Sequence, residues 1–321
     1  HASGNVEKLS RKTVINNSSI SNRGDAGIQK IWTYVTDNNG SLPTIETSYQ
    51  EITNRVFDSD HNVLNQMVLN YLDSSKNTLL DVQEIRNLNF DSRGNVLNQI
   101  IATFSGLDET GLHAEGLLDI KVIANENLDS SGNAGRVTIK KYRDGSIGTD
   151  GSITYSNFVD ATVIETSSFD LRGNALIQTI KKYSDAGLTT IVERQELTHS
   201  GYDFHDRVGH SSITTYNSRN DFVDRQEINY VSYDQFGNSI LQNVRRYTQT
   251  DTLIDYKEIT NTYADPIAAR RGNATHSSIY RYSSDTTLDN TTLIDHQEIS
   301  NNSFDNIGNI VDQEILLYVV D

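Results

Sequence analysis

Phe90-Asp91-Ser92-Arg93-Gly94-Asn95 decides how this chain folds. It stands between two β-prone runs, and its Asp-x-x-Gly-Asn core has the chemistry of a hairpin turn. The Asp caps a type I turn, the Gly takes the left-handed position, and a bulge restores strand pairing. The same segment recurs as Phe57-Asp58-Ser59-Asp60-His61-Asn62, Leu128-Asp129-Ser130-Ser131-Gly132-Asn133 and Phe169-Asp170-Leu171-Arg172-Gly173-Asn174. Further copies are Tyr233-Asp234-Gln235-Phe236-Gly237-Asn238 and Phe304-Asp305-Asn306-Ile307-Gly308-Asn309. Ile20 to Asp25 and Tyr202 to Arg207 are degenerate copies, and the stretch from Ala264 to Asn273 carries about four extra residues. The nine Asn-equivalent positions run from Asp25 to Asn309, a mean period of about 36 residues.

The flanks repeat as well. Five residues before each Phe-equivalent stands Ile15, Ile52, Ile85, Ile123, Ile164, Leu197, Ile228, Ile259 or Ile299. Six residues after each Asn-equivalent stands Ile31, Val68, Ile101, Ile139, Ile180, Ile213, Val244, Ile279 or Ile315. Three residues further on comes an aromatic column from Tyr34 to Tyr318. Setting Asp91 opposite Asn95 places Ile85 opposite Ile101 and Asn87 opposite Gln99. The turn chemistry alone thus aligns two apolar columns, whereas a slip of one residue would split them between faces.

The expected fold class is therefore all-β: nine tandem β-hairpin repeats of about 36 residues, about 18 strands in all, forming a long antiparallel meander, curled or closed. Residues 1–10 read as an N-terminal tail or tag remnant, and 11–321 as a single β-repeat domain. One face should carry the Ile/Val columns beside amides such as Asn87 and Gln99, whose ladders can hydrogen-bond. The other should carry the aromatic column and acids such as Glu84 and Glu227, with Glu227 in an exposed pair opposite Arg245. The two prolines, Pro43 and Pro266, are expected in loops.

Composition agrees with a thin sheet. The 321 residues are 36% hydrophobic and include no Cys. No disulfide framework or thiolate zinc site is available. The net charge of −16 disfavours nucleic-acid and anionic-membrane binding, and neither face shows the continuous apolar band of an outer-membrane barrel. The connections opposite the turns vary, and the long ones (Asp37 to Ser41, Ser105 to Gly116, Arg143 to Gly151, Ser283 to Asn290) form a rim where binding or tolerated insertion is expected.

The form Tyr233-Asp234-Gln235-Phe236-Gly237-Asn238 resembles the YD repeats of RHS-type proteins. That resemblance covers the hairpin core of all nine units, from about residue 11 to 321. It implies a spiral β-sheet of the kind that forms hollow shells on secreted toxins or cell-surface proteins. The chain departs from the family in its longer period and its amide columns, and it carries no recognisable autoproteolytic segment or toxin domain.

Motif chemistry is sparse. There is no Gly-rich phosphate loop, no Gly-x-Ser-x-Gly elbow and no His-Glu-x-x-His helix. Asp58, Asp60 and Asn62 alternate like the ligands of a calcium loop, without its Gly and distal Glu; the plain reading is a turn. His199 and His205 lie in a His-rich copy with His210, but the register sends His199 and His210 to opposite faces and leaves His205 in the turn. For a polysaccharide lyase, His210, Tyr216, His276 and Tyr280 are the available bases. The leading expectation is an extracellular or cell-surface structural or adhesive module, self-associating through edge strands, without a required cofactor. Carbohydrate binding or lyase-like cleavage is the alternative.

Overall fold

The computed structural model describes residues 7–41, 44–306 and 308–319. Within them each repeat is one hairpin. The first four are β1 (Arg11–Ile20) with β2 (Ala26–Val35), β3 (Ile45–Phe57) with β4 (Val63–Tyr71), β5 (Leu79–Phe90) with β6 (Val96–Leu107), and β7 (Ala114–Leu128) with β8 (Ala134–Ile147). Next come β9 (Ile153–Phe169) with β10 (Ala175–Tyr183), β11 (Ile191–Ser200) with β12 (His210–Tyr216), and β13 (Phe222–Tyr233) with β14 (Ser239–Tyr247). The last two are β15 (Leu253–Thr262) with β16 (His276–Tyr282) and β17 (Leu293–Phe304) with β18 (Ile310–Val319). Among the described residues every strand pairs antiparallel with its sequence neighbours, giving one 18-stranded meander. Among the described residues the sheet does not close: β1 pairs only with β2, and β18 only with β17.

The turns fold as their chemistry dictates. Asp91 N donates to Asn95 O at 2.9 Å, Asp91 Oδ1 accepts from Arg93 N and Asn95 N, and Asn95 Nδ2 donates to Asp91 Oδ2. Gly94 has φ +83°, a conformation that costs other residues steric strain. A Cβ there would also come within 2.9 Å of Asn62 Oδ1 in the preceding turn. The same close approach joins Gly132 to Asn95 and Gly173 to Asn133, so the turns stack along one edge.

Register follows the turn: Ile85 faces Ile101, and Asn87 faces Gln99, whose Nε2 donates to Asn87 Oδ1 at 2.6 Å. The amides do more than form ladders. Asn54, Asn87, Asn125, Asn261 and Asn301 donate to main-chain carbonyls of the preceding hairpin, at Ala26, Val63, Val96, Ser239 and Ala274. They stitch one repeat to the next.

Curvature comes from a bulge at every junction between hairpins. The second strand of one hairpin slips by one residue at its aromatic column, leaving Thr47, Leu80, Leu118, Val159, Val192, Val223, Ile254 and Ile294 unpaired. Bulges raise twist and bend the strand that carries them. Repeated eight times, they wind the sheet back on itself. The turn of hairpin 6 then lies against the start of hairpin 1, where His205 Nδ1 is 3.1 Å from Ser10 Oγ and Arg207 Nη2 donates to Asn38 Oδ1 at 2.9 Å. Residues 8–10, read from sequence as part of a tail, belong to this seam, with Lys8 Nζ 4.9 Å from the centre of the Phe204 ring.

The insertion in hairpin 8 is taken up by a short six-residue helix, α1 (Pro266–Arg271). Pro266, expected in a loop, opens that helix, where its missing N–H is no loss. Asp265 Oδ1 accepts from Ala268 N, and Gly272 closes the helix at φ +74°. Arg271 Nη2 then reaches Leu80 O across the seam at 3.2 Å. Pro43 lies outside the described residues.

The main buried cluster lies on the face expected to be acidic and aromatic. Met67, Val82, Ile100, Ala102, Phe104, Ile120 and Ile153 form the buried cluster, and Val82 and Ile120 are fully buried. Two segments read as variable loops are strand extensions that make this possible. The β6–β7 tip narrows to residues 108–113, and the β8–β9 tip, residues 148–152, folds over the face. Its Gly151 O accepts from Arg86 Nε at 2.5 Å on β5. Beneath it Glu84, 3% exposed, receives Arg55 through two hydrogen bonds and Arg86 through a third.

Gly145 is where this folded-over hairpin presses on the core: a Cβ would lie 2.3 Å from Ile120 Cδ1 and 2.1 Å from Thr154 O. Gly145→Ala is expected to cost about 1–3 kcal/mol by overpacking, read as a lower denaturant midpoint. Gly106→Ala, with no atom within 4 Å of its Cβ, should be neutral. Equal midpoints for the two variants would contradict this account of the core.

Candidate functional site

Of the residues singled out as metal ligands, Asp58, Asn62, His199 and His205 have side chains engaged within the chain, whereas Asp60 contributes its main-chain N–H. Asp58 Oδ1 accepts from Asp60 N and Asn62 N, and Oδ2 from Asn62 Nδ2, the arrangement also made by Asp91. His61 takes the left-handed position of that turn at φ +68° and sits 2.5 Å from Asp25 Oδ1. His199 Nδ1 contacts Ser211 Oγ at 2.8 Å, while His205 contacts Ser10 Oγ and, at 3.0 Å, Asp37 O. His199 and His210 face Ser211 and Ser200 respectively, so they project to opposite sides of the sheet. Among the described residues no three His, Asp or Glu side chains converge as a metal site.

A second set of side chains is organised by the repeat. Hairpins 6 and 8 share the sequence His-Ser-Ser-Ile, at His210 to Ile213 and His276 to Ile279. Each places its His and second Ser against the Glu of the next strand. His210 Nε2 is 3.0 Å from Glu227 Oε2, and Ser212 Oγ donates to Glu227 Oε1 at 2.8 Å. His276 Nε2 is 2.7 Å from Glu298 Oε2, and Ser278 Oγ donates to Glu298 Oε1 at 2.9 Å. Glu227 faces Arg245 in register as expected, but the ion pair is not made there: Arg245 Nε instead donates to Asp285 at 2.8 Å.

His296 adds to the second cluster, 2.6 Å from Glu298 Oε1 and stacked 3.9 Å from Tyr280 at 6°. Burial alone would raise the Glu298 carboxyl, yet hydrogen bonds from Ser278 and His296 bring it below its ordinary value. Of the bases available to a lyase, His276 and Tyr280 thus join one cluster through Glu298 and His296. Tyr216 is bound separately, with its hydroxyl 3.3 Å from Glu196 and Arg194 over its ring.

Sequence reasoning missed one column. The residue after each junction bulge is acidic in seven of the eight cases, from Asp81 to Asp295. Asp255 is 2% exposed and accepts from Arg246 at 2.7 Å. Its signal is a recurring apolar-acidic dipeptide, such as Leu80-Asp81, Val223-Asp224, Ile254-Asp255 and Ile294-Asp295, four residues before the Ile column.

The winding also creates a cleft. A cavity of about 600 Å3 opens along the seam between the ends of hairpins 1 and 2 and the turns of hairpins 6, 7 and 8. Thr33, Thr47, Ser48 and Tyr71 line one wall, and Arg207, Phe236 and Arg270 the other. The hydroxyl of Tyr49, also in the lining, is pushed above its usual range by burial and by Glu51.

No protein-family model matches the sequence, and no curated protein matches it. Two solved structures share 14% identity with it: TcdB2-TccC3 without its hypervariable C-terminal region, and TcdB2-TccC3. The first match covers 95% of this chain and 16% of that one at a TM-score of 0.17. The second covers 92% and 20% at 0.13. At such scores fold and function rest on the chain's own geometry.

The turns have a pH consequence. In Asp91, Asp129 and Asp170 the side-chain amide of the Asn four residues on, with backbone N–H groups, holds the carboxyl below its ordinary 3.8. A depressed folded-state value means the contribution is complete above the unfolded value and lost as pH falls through the folded one. The turn contribution should therefore be complete above about pH 5 and the melting temperature should fall as pH drops below about 4. Asn95→Ala should lower it at neutral pH and weaken its acid dependence. A melting temperature at pH 3 equal to that at pH 6 would count against turn clamping.

Proposed function

We propose that this chain is an extracellular or cell-surface structural module, an adhesive β-repeat scaffold that extends by adding strands to its edges. The observation that carries the reading is the state of the outer strands. Every residue of β1 and of β18 is exposed, including Ile15 at 53%, Ile315 at 54% and Val319 at 70%. A long apolar edge strand with unpaired N–H and C=O groups is a template for another strand. The two edges also differ in charge, β1 carrying Arg11 and Lys12 and β18 carrying Asp312 and Glu314. A β1 strand of a second copy, entering in the register of the eight internal junctions, sets Glu314 diagonally across from Lys12, within reach of a cross-strand pair.

Analytical ultracentrifugation across a concentration series, with electron micrographs of the same samples, tests this. Wild-type protein is expected to associate end to end, and Ile15→Lys with Ile315→Lys to remain monomeric with an unchanged melt. A monomer at every concentration, or association that survives both substitutions, would sink edge pairing.

A further inference from the structure

We propose that the seam cleft binds a carboxylate-bearing sugar, a uronate, through the guanidinium of Arg270. This site goes beyond the structural role and does not depend on it, because the cleft lies within one chain.

Arg270 is the reason for an anion. It is half-buried in the cleft wall at the end of α1, with its guanidinium carbon 4.7 Å from the centre of the Phe236 ring. One Nη donates to Leu72 O across the seam, whereas Nε is buried with no partner. Among the described residues no carboxylate lies within ion-pair distance of it. The acids that bear on it from farther off, Glu46 and Asp73, are engaged by Ser74 and by Ser75 N. Burial accordingly pulls the guanidinium below its usual range. A partly desolvated cation without a counter-charge is costly, and a planar carboxylate fits its fork. Arg207, by contrast, is already paired with Asp203 at 2.6 Å.

The rest of the lining selects among anions. Asp81 and Asp206 face the same cavity, so a multiply charged phosphate is repelled more strongly there than a singly charged carboxylate. Asp81 Oδ1 accepts from Asn70 and Gln83, and no hydrogen bond among the described residues engages Oδ2, which leaves an acceptor for a sugar hydroxyl. Thr33, Thr47 and Ser48 supply hydroxyl partners, and Tyr71 and Phe236 supply ring surface for the apolar face of a pyranose. The volume lies within the range of about 300–1,000 Å3 common for small-molecule sites.

Isothermal titration with digalacturonate, with its neutral counterpart galactobiose, and with inorganic phosphate tests the proposal on the whole chain. Digalacturonate is expected to bind at least about tenfold more tightly than either control, the loss expected when a charged hydrogen bond goes unmade. Arg270→Gln should reduce its affinity by a similar factor. Because that change also removes the bond to Leu72 O, Arg11→Gln provides a second reading. Arg11 lines the cleft from an exposed position, and its loss should weaken binding about two- to fivefold with an unchanged melt. Equal affinity for galactobiose, phosphate binding as tight as the uronate, no digalacturonate binding at all, or binding unchanged in both variants would each overturn the assignment.

Discussion

At each junction between hairpins one residue of the incoming strand has no partner opposite it. The backbone must absorb that extra residue within a continuous hydrogen-bonded ladder, so the strand bends and the local twist grows. One such bulge would be a local irregularity. Eight of them at the same column act in the same sense, and the sum is a sheet that returns to its own beginning. The contacts of Arg207 with Asn38 and of Arg271 with Leu80 depend on that sum, as does the cleft between them.

A sheet with only 36% hydrophobic residues cannot bury both faces against a second layer. The protein concentrates its apolar residues in hairpins 2 to 5 and folds a long hairpin over them. Ala102, Ile120, Ala161 and Val163 occupy positions on a face that elsewhere holds Glu or Arg. Placing Glu84 beneath the same cover demands compensation, and two arginines provide it. Breaking such an arrangement from one side leaves a buried charge, which costs more than the intact group contributes.

Past hairpin 5 that face changes character. Arg194, Arg225 and His296 stand where Val82 and Ile120 stand in the covered region, and the Glu column there meets histidines and serines instead of a lid. Proximity of the His-Ser-Ser-Ile segments to the following Glu is a direct result of antiparallel register. The seam cleft has a different origin: its two walls come from repeats five or six units apart, so no single hairpin contains it.

How much of this was legible in the sequence follows from range. Asp91, Gly94 and Asn95 interact across four residues, and the register they set propagates by hydrogen bonding through Asn87 and Gln99 to Ile85 and Ile101. The acidic column after the bulge was also written in the chain, but turn chemistry does not point to it, because it is tied to a slip at the opposite end of the strands. Calcium-like spacing at Asp58, Asp60 and Asn62 overlaps turn capping, which uses the Asp58 carboxylate and the Asn62 amide but only the main-chain N–H of Asp60. The sequence by itself determined the hairpins, their order and which residues face one another, because those depend on local turns and on lateral pairing between neighbours. Only the tertiary structure decided that the sheet stays open, which face is covered, and where the cleft lies. Those outcomes come from small bends added over many strands, and they bring together residues as distant as Arg86 and Gly151, or Arg270 and Leu72.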